Sequence, residues 1–150
     1  MKKMLWSSIL LWSFLLWMYA YSYSFINVSM GGNGDSIRPD ISPDNRYSTY
    51  ASEATNLDLI NTDINGFRDV FVRDMVTSGT INITVEWNWV STSPSISDNG
   101  SSHAAHISAD GKFITFLSNA TNLWTGDSNP GSDVFLYDVD ADTITNISYG

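Results

Sequence analysis

The stretch ISPDNRYSTYASEATNL at residues 41–57 recurs further along the chain as ISADGKFITFLSNATNL at 107–123. The serine, aspartate, aromatic and ATNL positions coincide at one constant offset, without a gap. A second pair follows, because RDVFVRD at 68–74 aligns with SDVFLYD at 132–138 once two residues are removed between the blocks. Repeats of this length are typical of folds in which one supersecondary unit stacks on the next. The chain therefore contains two copies of one unit, and the shortened segment indicates a loop.

Each unit is predicted to form four short strands, because runs rich in β-branched and aromatic residues are separated by turn residues. SPDNR and SADGK are predicted hairpin turns, in which Asn45 and Gly111 tolerate a positive φ. In the second unit the predicted strands are 103–107, 113–117, 133–137 and 144–148. A further element occurs three times, as INVS at 26–29, INIT at 81–84 and TNIS at 145–148.

The order of these elements, an IS(P/A)D turn, an aromatic strand, a DVF strand and a short threonine-rich strand, resembles the repeat of TolB-type β-propellers. This family comprises periplasmic and secreted bacterial proteins. The resemblance covers 25–150 and implies an all-β fold with two four-stranded antiparallel β-propeller blades, at 37–85 and 103–148, after a lone strand at 25–31. Propellers close with four or more blades, so two blades leave sheet faces and edges open. We therefore expect a protein partner, self-association to complete the propeller, or a longer protein of which this chain is part.

Residues 1–24 are predicted to be a signal peptide or a membrane anchor. Lys2 and Lys3 precede the run MLWSSILLWSFLLWMYA at 4–20, in which every residue that is not apolar is a serine. The run predicts an N-terminal hydrophobic helix at the lower limit of the length that spans a bilayer, so cleavage after Ser24 and retention as an anchor are both open. The predicted location is periplasmic or extracellular, with or without anchoring by this segment.

The acidic composition excludes one class of partner. The chain carries a formal net charge of −9, with 7 basic and 16 acidic residues, and two of the basic residues lie in the N-terminal segment. Affinity for nucleic acid or anionic lipid comes from clustered lysine and arginine, so we expect no nucleic-acid binding and membrane contact only through the N-terminal segment. The chain has no cysteine, which excludes disulfides, thiolate metal sites and cysteine nucleophiles.

The segment NTDINGFRD is a candidate metal site. It places Asn61, Asp63, Asn65 and Asp69 at the first, third, fifth and ninth positions, where oxygen ligands suit a hard cation such as Ca²⁺. Val72 occupies the twelfth position, where an EF-hand requires a bidentate glutamate, so the segment is not an EF-hand. The alternative is a polar Asx-turn loop. The cofactor prediction is accordingly none, or Ca²⁺ at these four residues.

The histidines and two tryptophans are two other sets of side chains that could form sites. His103 and His106 point to opposite faces of a regular strand, so a shared zinc ion would require a bulge. Trp87 and Trp89 do not recur between the units and lie on one face, which makes them candidate binding residues through stacking on a sugar or a protein. The alternative for the tryptophans is burial between blades.

The sequence predicts a protein that is not an enzyme. Aspartates that recur in both units are expected to form turns and strand ends, because a catalytic carboxylate is needed only once: Asp44, Asp69, Asp74, Asp110, Asp133 and Asp138. The chain contains no nucleophile elbow, phosphate-binding loop or HExxH motif. We expect a non-catalytic exported propeller module that binds a protein or ligand at the cell envelope. The alternatives are the propeller part of a larger hydrolase or peptidase, and a calcium-stabilised surface repeat protein.

Overall fold

A computed structural model describes residues 25–59, 63–86, 96–127, 129 and 131–148. Within these ranges the secondary structure consists of short β-strands joined by turns. The strands are β1 Ser36–Ile41, β2 Tyr47–Ser52, β3 Asp69–Asp74, β4 Thr80–Asn82, β5 Val85–Glu86, β6 Ile96–Ser97, β7 Ser102–Ile107, β8 Phe113–Ser118, β9 Asp133–Asp138 and β10 Thr143–Asn146.

Eight of these strands form two four-stranded antiparallel sheets, β1-β2-β3-β4 (the first sheet) and β10-β9-β8-β7 (the second sheet), and β5 pairs with β6. The two sheets share one register, because Tyr50 lies opposite Phe71 in the first and Phe116 lies opposite Phe135 in the second. The predicted all-β class with two four-stranded antiparallel sheets is confirmed. The predicted N-terminal helix falls in 1–24, outside the described residues. Within the described ranges, no helix has the length and apolarity needed to cross a membrane.

The repeated aspartates form the turns that the sequence predicts. Asp44 Oδ1 accepts a hydrogen bond from the hydroxyl of Ser42 at 2.5 Å, and Asp110 accepts the equivalent bond at 2.5 Å. The bond from Ser42 holds the pKa of Asp44 below its usual range. Asp74 and Asp138 each accept two backbone N–H groups in the turns after β3 and β9. Each carboxylate thus replaces backbone partners that the reversing chain cannot supply.

Positive φ angles also recur between the two units. Asn45, at φ 59°, and Gly111, at φ 72°, complete the first hairpin turns, as the sequence predicts. Arg38, at φ 52°, and Ala104, at φ 55°, lie where the pairing of β1 and of β7 with its neighbour shifts register. A β-bulge at equivalent positions of both sheets redirects the first strand of each. Arginine and alanine do not favour a positive φ, so nothing in the sequence predicts these bulges.

The main hydrophobic core lies between the two sheets, where β7 packs on β1, β2 and β3. It consists of buried side chains from both sheets: Val70, Val72, Ile83, Ala105, Ile114, Phe116, Phe135 and Tyr137. The opposite face of the first sheet carries a smaller cluster, consisting of Tyr50, Ala54, Leu57 and Phe71, on which Val28 packs. One backbone bond, from Ser102 N–H to the carbonyl of Arg68 at 2.6 Å, also joins the sheets.

An asparagine clasp that the sequence reasoning missed closes one end of each sheet. Asn99 N–H donates to Asn122 Oδ1 at 2.9 Å, and its side chain exchanges two hydrogen bonds with Thr121, at 2.9 and 2.8 Å. Asn33 makes the same three bonds to the equivalent residues of the first unit. The signal was present, because Asn-Gly occurs at 33–34 and 99–100 at the same offset as the longer repeat.

Replacing Gly100 with alanine is expected to destabilise the second sheet, because a Cβ atom there would lie 2.8 Å from the backbone of Asn119 and Ala120. The N–H groups of these two residues are bonded to Ser101 and Ser118, so this backbone cannot easily move aside. We therefore expect a loss of about 1–3 kcal/mol of unfolding free energy. Gly79→Ala is the control, since its Cβ would meet a side-chain atom of Thr77 at an ordinary 3.4 Å. Urea unfolding of both variants measures the difference, and equal losses would contradict the close-approach explanation.

Residues 25–31, for which the sequence predicts a lone strand, form a turn instead. Gly32 N–H donates to the carbonyl of Ser29 at 3.0 Å, and Gly31 has φ 89°. The side chain of Asn27 accepts the N–H of Ser29 at 3.0 Å, which bends the backbone away from an extended path.

Candidate functional site

The aspartate that begins the third strand of each sheet anchors the end of the fourth strand. Asp69 Oδ1 lies 2.8 Å from the hydroxyl of Thr84, and Asp133 Oδ1 lies 2.8 Å from the hydroxyl of Ser148. Both hydroxyls also accept the N–H of the residue that follows the aspartate, at 3.2 and 3.0 Å. The pair therefore fixes β4 and β10 to their neighbours, as expected for a residue needed in every unit.

Asp69 additionally belongs to a buried acidic cluster between the two sheets. Asp63, Asp69 and Asp98 are 4%, 0% and 1% exposed, respectively. Asp98 accepts the amide of Asn65 at 2.6 Å and the hydroxyl of Ser102 at 2.8 Å. One oxygen each of Asp63 and Asp69 has no N–H or alcohol O–H donor among the described residues. The cluster thus concentrates negative charge where the first sheet meets the segment that leads into β7.

Burial changes the protonation of this cluster. Loss of hydration raises the pKa of Asp98 far above its usual range, and the adjacent charge of Asp69 raises it further. Burial also raises the pKa of Asp69, while the neighbouring Asp98 and Thr84 act in the opposite direction by hydrogen bonding to it. Two carboxyl groups this close hold one proton between them over a wide pH range. Because all three side chains are enclosed, the cluster presents no surface to a substrate and acts as a link between the sheets.

The predicted calcium ligands lie partly in this cluster. Asp63, Asn65 and Asp69 are described, whereas Asn61 lies outside the described residues. Asn65 uses its amide nitrogen for Asp98 and its oxygen for the N–H of Phe67 at 2.7 Å, as in an Asx turn. In the described part of the chain, no three histidine, cysteine, aspartate or glutamate side chains converge as metal ligands would. Calcium binding at these four residues stays a prediction.

The two histidines are separated by the bulge in β7. His106 Nδ1 lies 3.3 Å from Asp40 Oδ2 in β1, and the same oxygen accepts the N–H of Ile107 at 3.1 Å. His103 instead lies opposite Leu117 in the ladder with β8. The bulge that a shared zinc site would require is present, but it directs His106 to the first sheet.

Trp87 and Trp89, the predicted binding residues, lie outside the described residues. Trp124, at the position of Asp58 in the first unit, packs at the edge of the core between the sheets.

The two units differ at the outer surface of the second sheet, which we call the open face. It carries apolar side chains at positions that alternate with those of the main core: Leu117, Val134, Leu136 and Ile147. The repeat aligns these residues with Ala51, Val70, Val72 and Ile83 of the first sheet. All four of the latter are buried, and three of them, Val70, Val72 and Ile83, belong to the core between the sheets.

Exposure measures the difference directly. Ile83 is 1% exposed beneath the second sheet, whereas the equivalent Ile147 is 52% exposed. Val134 and Leu136 are partly exposed, whereas their counterparts in β3 are buried. The open face therefore has the pattern of an interface between sheets and no covering sheet among the described residues. Strand alternation contained this signal, but the sequence alone did not indicate which face the first sheet would cover.

Comparison with known proteins finds similarity among solved structures. No protein-family model matches the chain, and no curated protein matches it. Among solved structures, TolB from Acinetobacter baumannii is similar, with 18% sequence identity and a TM-score of 0.46 over 76% of this chain. The chain spans 21% of the length of that protein. TolB carries the name of the family whose repeat this sequence resembles, and two four-stranded antiparallel sheets are the arrangement that the resemblance predicts.

Proposed function

We propose that this chain is a non-catalytic protein-binding module that acts at the cell envelope through the open face of its second sheet. The observation that carries the proposal is the contrast between Ile83, which is 1% exposed, and the equivalent Ile147, which is 52% exposed. A contiguous apolar patch on a sheet face marks a site of association. The partner that fits is a protein presenting a strand and small apolar side chains, as β7 does to the first sheet.

The proposed absence of catalysis rests on the chemistry of the acidic residues. The described carboxylates with the most strongly raised pKa values are Asp69 and Asp98, and both are enclosed between the sheets. A catalytic carboxylate must reach a substrate, so these groups suit a structural role.

The proposed location rests on the sequence. The hydrophobic run at 4–20 behind two lysines is typical of an export or anchor segment, and the remainder of the chain is acidic and free of cysteine. A binding module delivered to the envelope fits these features.

A photocrosslinking amino acid at position 147 is expected to give covalent adducts with a protein when the full chain is expressed in the cells that make it. The same amino acid at Val76, which is 77% exposed in the turn after β3, serves as the control for exposure without an apolar face. Adducts from position 147 that are absent from position 76 support the open face as the binding surface. Equal labelling from both positions, or none from position 147, would show that the open face does not bind a protein.

A further inference from the structure

The N-terminal turn repeats a local structure that ends the fourth strand of both sheets. Asn27 Oδ1 lies 3.0 Å from the backbone nitrogen of Ser29 and 3.2 Å from its hydroxyl. The side chain of Asn82 makes the same two contacts with Thr84, at 2.9 and 2.8 Å. Asn146 makes them with Ser148, at 3.0 Å each. Three Asn-x-Ser/Thr segments thus share one hydrogen-bond pattern, but the first has no four-stranded sheet before it among the described residues.

The residue in the middle of each segment has an equivalent position. Ile83 packs in the main core against the second sheet, and Val28 packs on Tyr50, Leu57 and Phe71 of the first sheet. In the repeat, these last three residues correspond to Phe116, Leu123 and Phe135, which form or border the core that Ile83 enters. Val28 therefore covers the first sheet in the way that Ile83 covers the second.

The N-terminal turn differs from the end of a fourth strand in the partner of its hydroxyl group. Thr84 and Ser148 each contact the aspartate that begins their third strand, at 2.8 Å. The hydroxyl of Ser29 instead bonds to Asn27, at 3.2 Å. The turn also leaves part of the first sheet uncovered, since a cleft of about 540 Å³ remains between Met30, Arg73 and Ile81. Residues 25–31 thus occupy only the position of a strand end, on a face that a whole sheet would cover.

We propose that residues 25–31 are a cap, which covers the first sheet and prevents a second copy of this chain from binding there. Ile147 of the second copy would take the position of Val28. This inference rests on the proposed binding role of the open face and names its partner. Ile147 follows the same Asn-x-Ser segment and is 52% exposed, so one copy carries both the covered site and the side chain that suits it. When the cap leaves, the open face of one copy stacks on the first sheet of the next.

The remaining contacts of such a stack are compatible with the interface inside the chain. Pro39 and Ile41 in β1 stand at the positions of Ala105 and Ile107 in β7, and both are exposed. The repeat places Gly32 at the position of Asp98. A second copy would therefore bring no carboxylate to Asp133, and the like-charge contact within the chain would not recur.

Disulfide trapping tests the cap, because the natural chain has no cysteine. Full-length chains carrying Ile147→Cys are mixed in one detergent with full-length chains carrying Leu57→Cys, with and without Val28→Asp in the second chain. We expect a mixed disulfide dimer whose yield rises several-fold with Val28→Asp, because a charge set against the apolar side chains of Tyr50 and Phe71 releases the cap. Adding Leu136→Asp to the first chain should abolish this increase in dimer yield. A chain with Val76→Cys in place of Ile147→Cys should show no increase.

Three results would overturn the cap. The first is a dimer yield that does not change in a Val28→Asp chain whose circular dichroism still shows β structure. The others are an increase in dimer yield that persists with Leu136→Asp, and an equal increase with Val76→Cys. If Val28→Asp unfolds the chain, Asn27→Ala decides, since it removes only the two hydrogen bonds that shape the turn. If position 147 crosslinks to another protein but the cysteine pairs form no disulfide dimer, the proposed function stands and the cap is rejected. If neither crosslinks nor disulfide dimers form, both proposals are rejected.

Discussion

Replacing Asp98 with asparagine is expected to raise the unfolding free energy at pH 8 by roughly 2–4 kcal/mol and to change it little at pH 4. Asparagine resembles a protonated aspartate in shape and can still meet the amide of Asn65 or the hydroxyl of Ser102, which Asp98 contacts at 2.6 and 2.8 Å. It cannot acquire a negative charge beside Asp69. Urea unfolding of both proteins from pH 4 to pH 9 measures the difference.

The sign follows from the direction of the pKa shift. Burial and the charge of Asp69 raise the pKa of Asp98 in the folded state, so folding favours the protonated form. Stability from this group is complete below the pKa of the unfolded chain and is lost as the pH rises through the folded pKa. The parent protein should therefore lose stability relative to Asp98→Asn toward alkaline pH. Each pKa unit corresponds to about 1.4 kcal/mol, which sets the expected scale.

Asp110→Asn is the matched control. Asp110 lies in an exposed turn, where the hydrogen bond from Ser108 lowers its pKa. A lowered pKa adds stability above the unfolded pKa, so this substitution should destabilise slightly near neutral pH and have less effect in acid. A parallel pH dependence of the Asp98→Asn variant and the parent would show that the cluster does not hold a shared proton.

Local chemistry explains what the sequence could predict. Strand and turn positions follow from short-range patterns, so the strands of the second unit and the turns at Asp44 and Asp110 were predicted to within one or two residues at most ends. Each of these features repeats, and the repeat distinguishes a constraint of the fold from coincidence.

Features that depend on contacts between distant segments could not be predicted. Asp98 meets Asp69 only because the two sheets stack, and nothing near either residue indicates a carboxylate partner. The bulges at Arg38 and Ala104 place unfavoured residue types at positive φ. INVS at 26–29 reads as a strand because its composition matches INIT at 81–84. The same Asx turn forms in both segments, but no neighbouring strand of the described residues pairs with 26–29.

Replacing Phe135 with alanine is expected to cost about 3–5 kcal/mol of unfolding free energy, the largest loss expected of any single truncation in the core. Phe135 is fully buried, and its ring stacks on that of Phe116 with centroids 5.5 Å apart. Both rings lie in the core shared with Val70 and Val72 of the first sheet. The cavity would therefore open between the sheets, where neither sheet can close it alone.

The shared core makes this loss a test of cooperativity between the sheets. If they fold as one unit, Phe135→Ala should lower the hydrogen-exchange protection of amides in β3 as much as in β9, because both depend on the same opening. Phe113→Ala, at a side chain 39% exposed on the second sheet, should cost about 1 kcal/mol or less and leave β3 protected. Protection lost in β9 alone would mean that the sheets open independently. The packing between the sheets that buries Ile83 would then be too weak to hold a second copy against Ile147 in the same way.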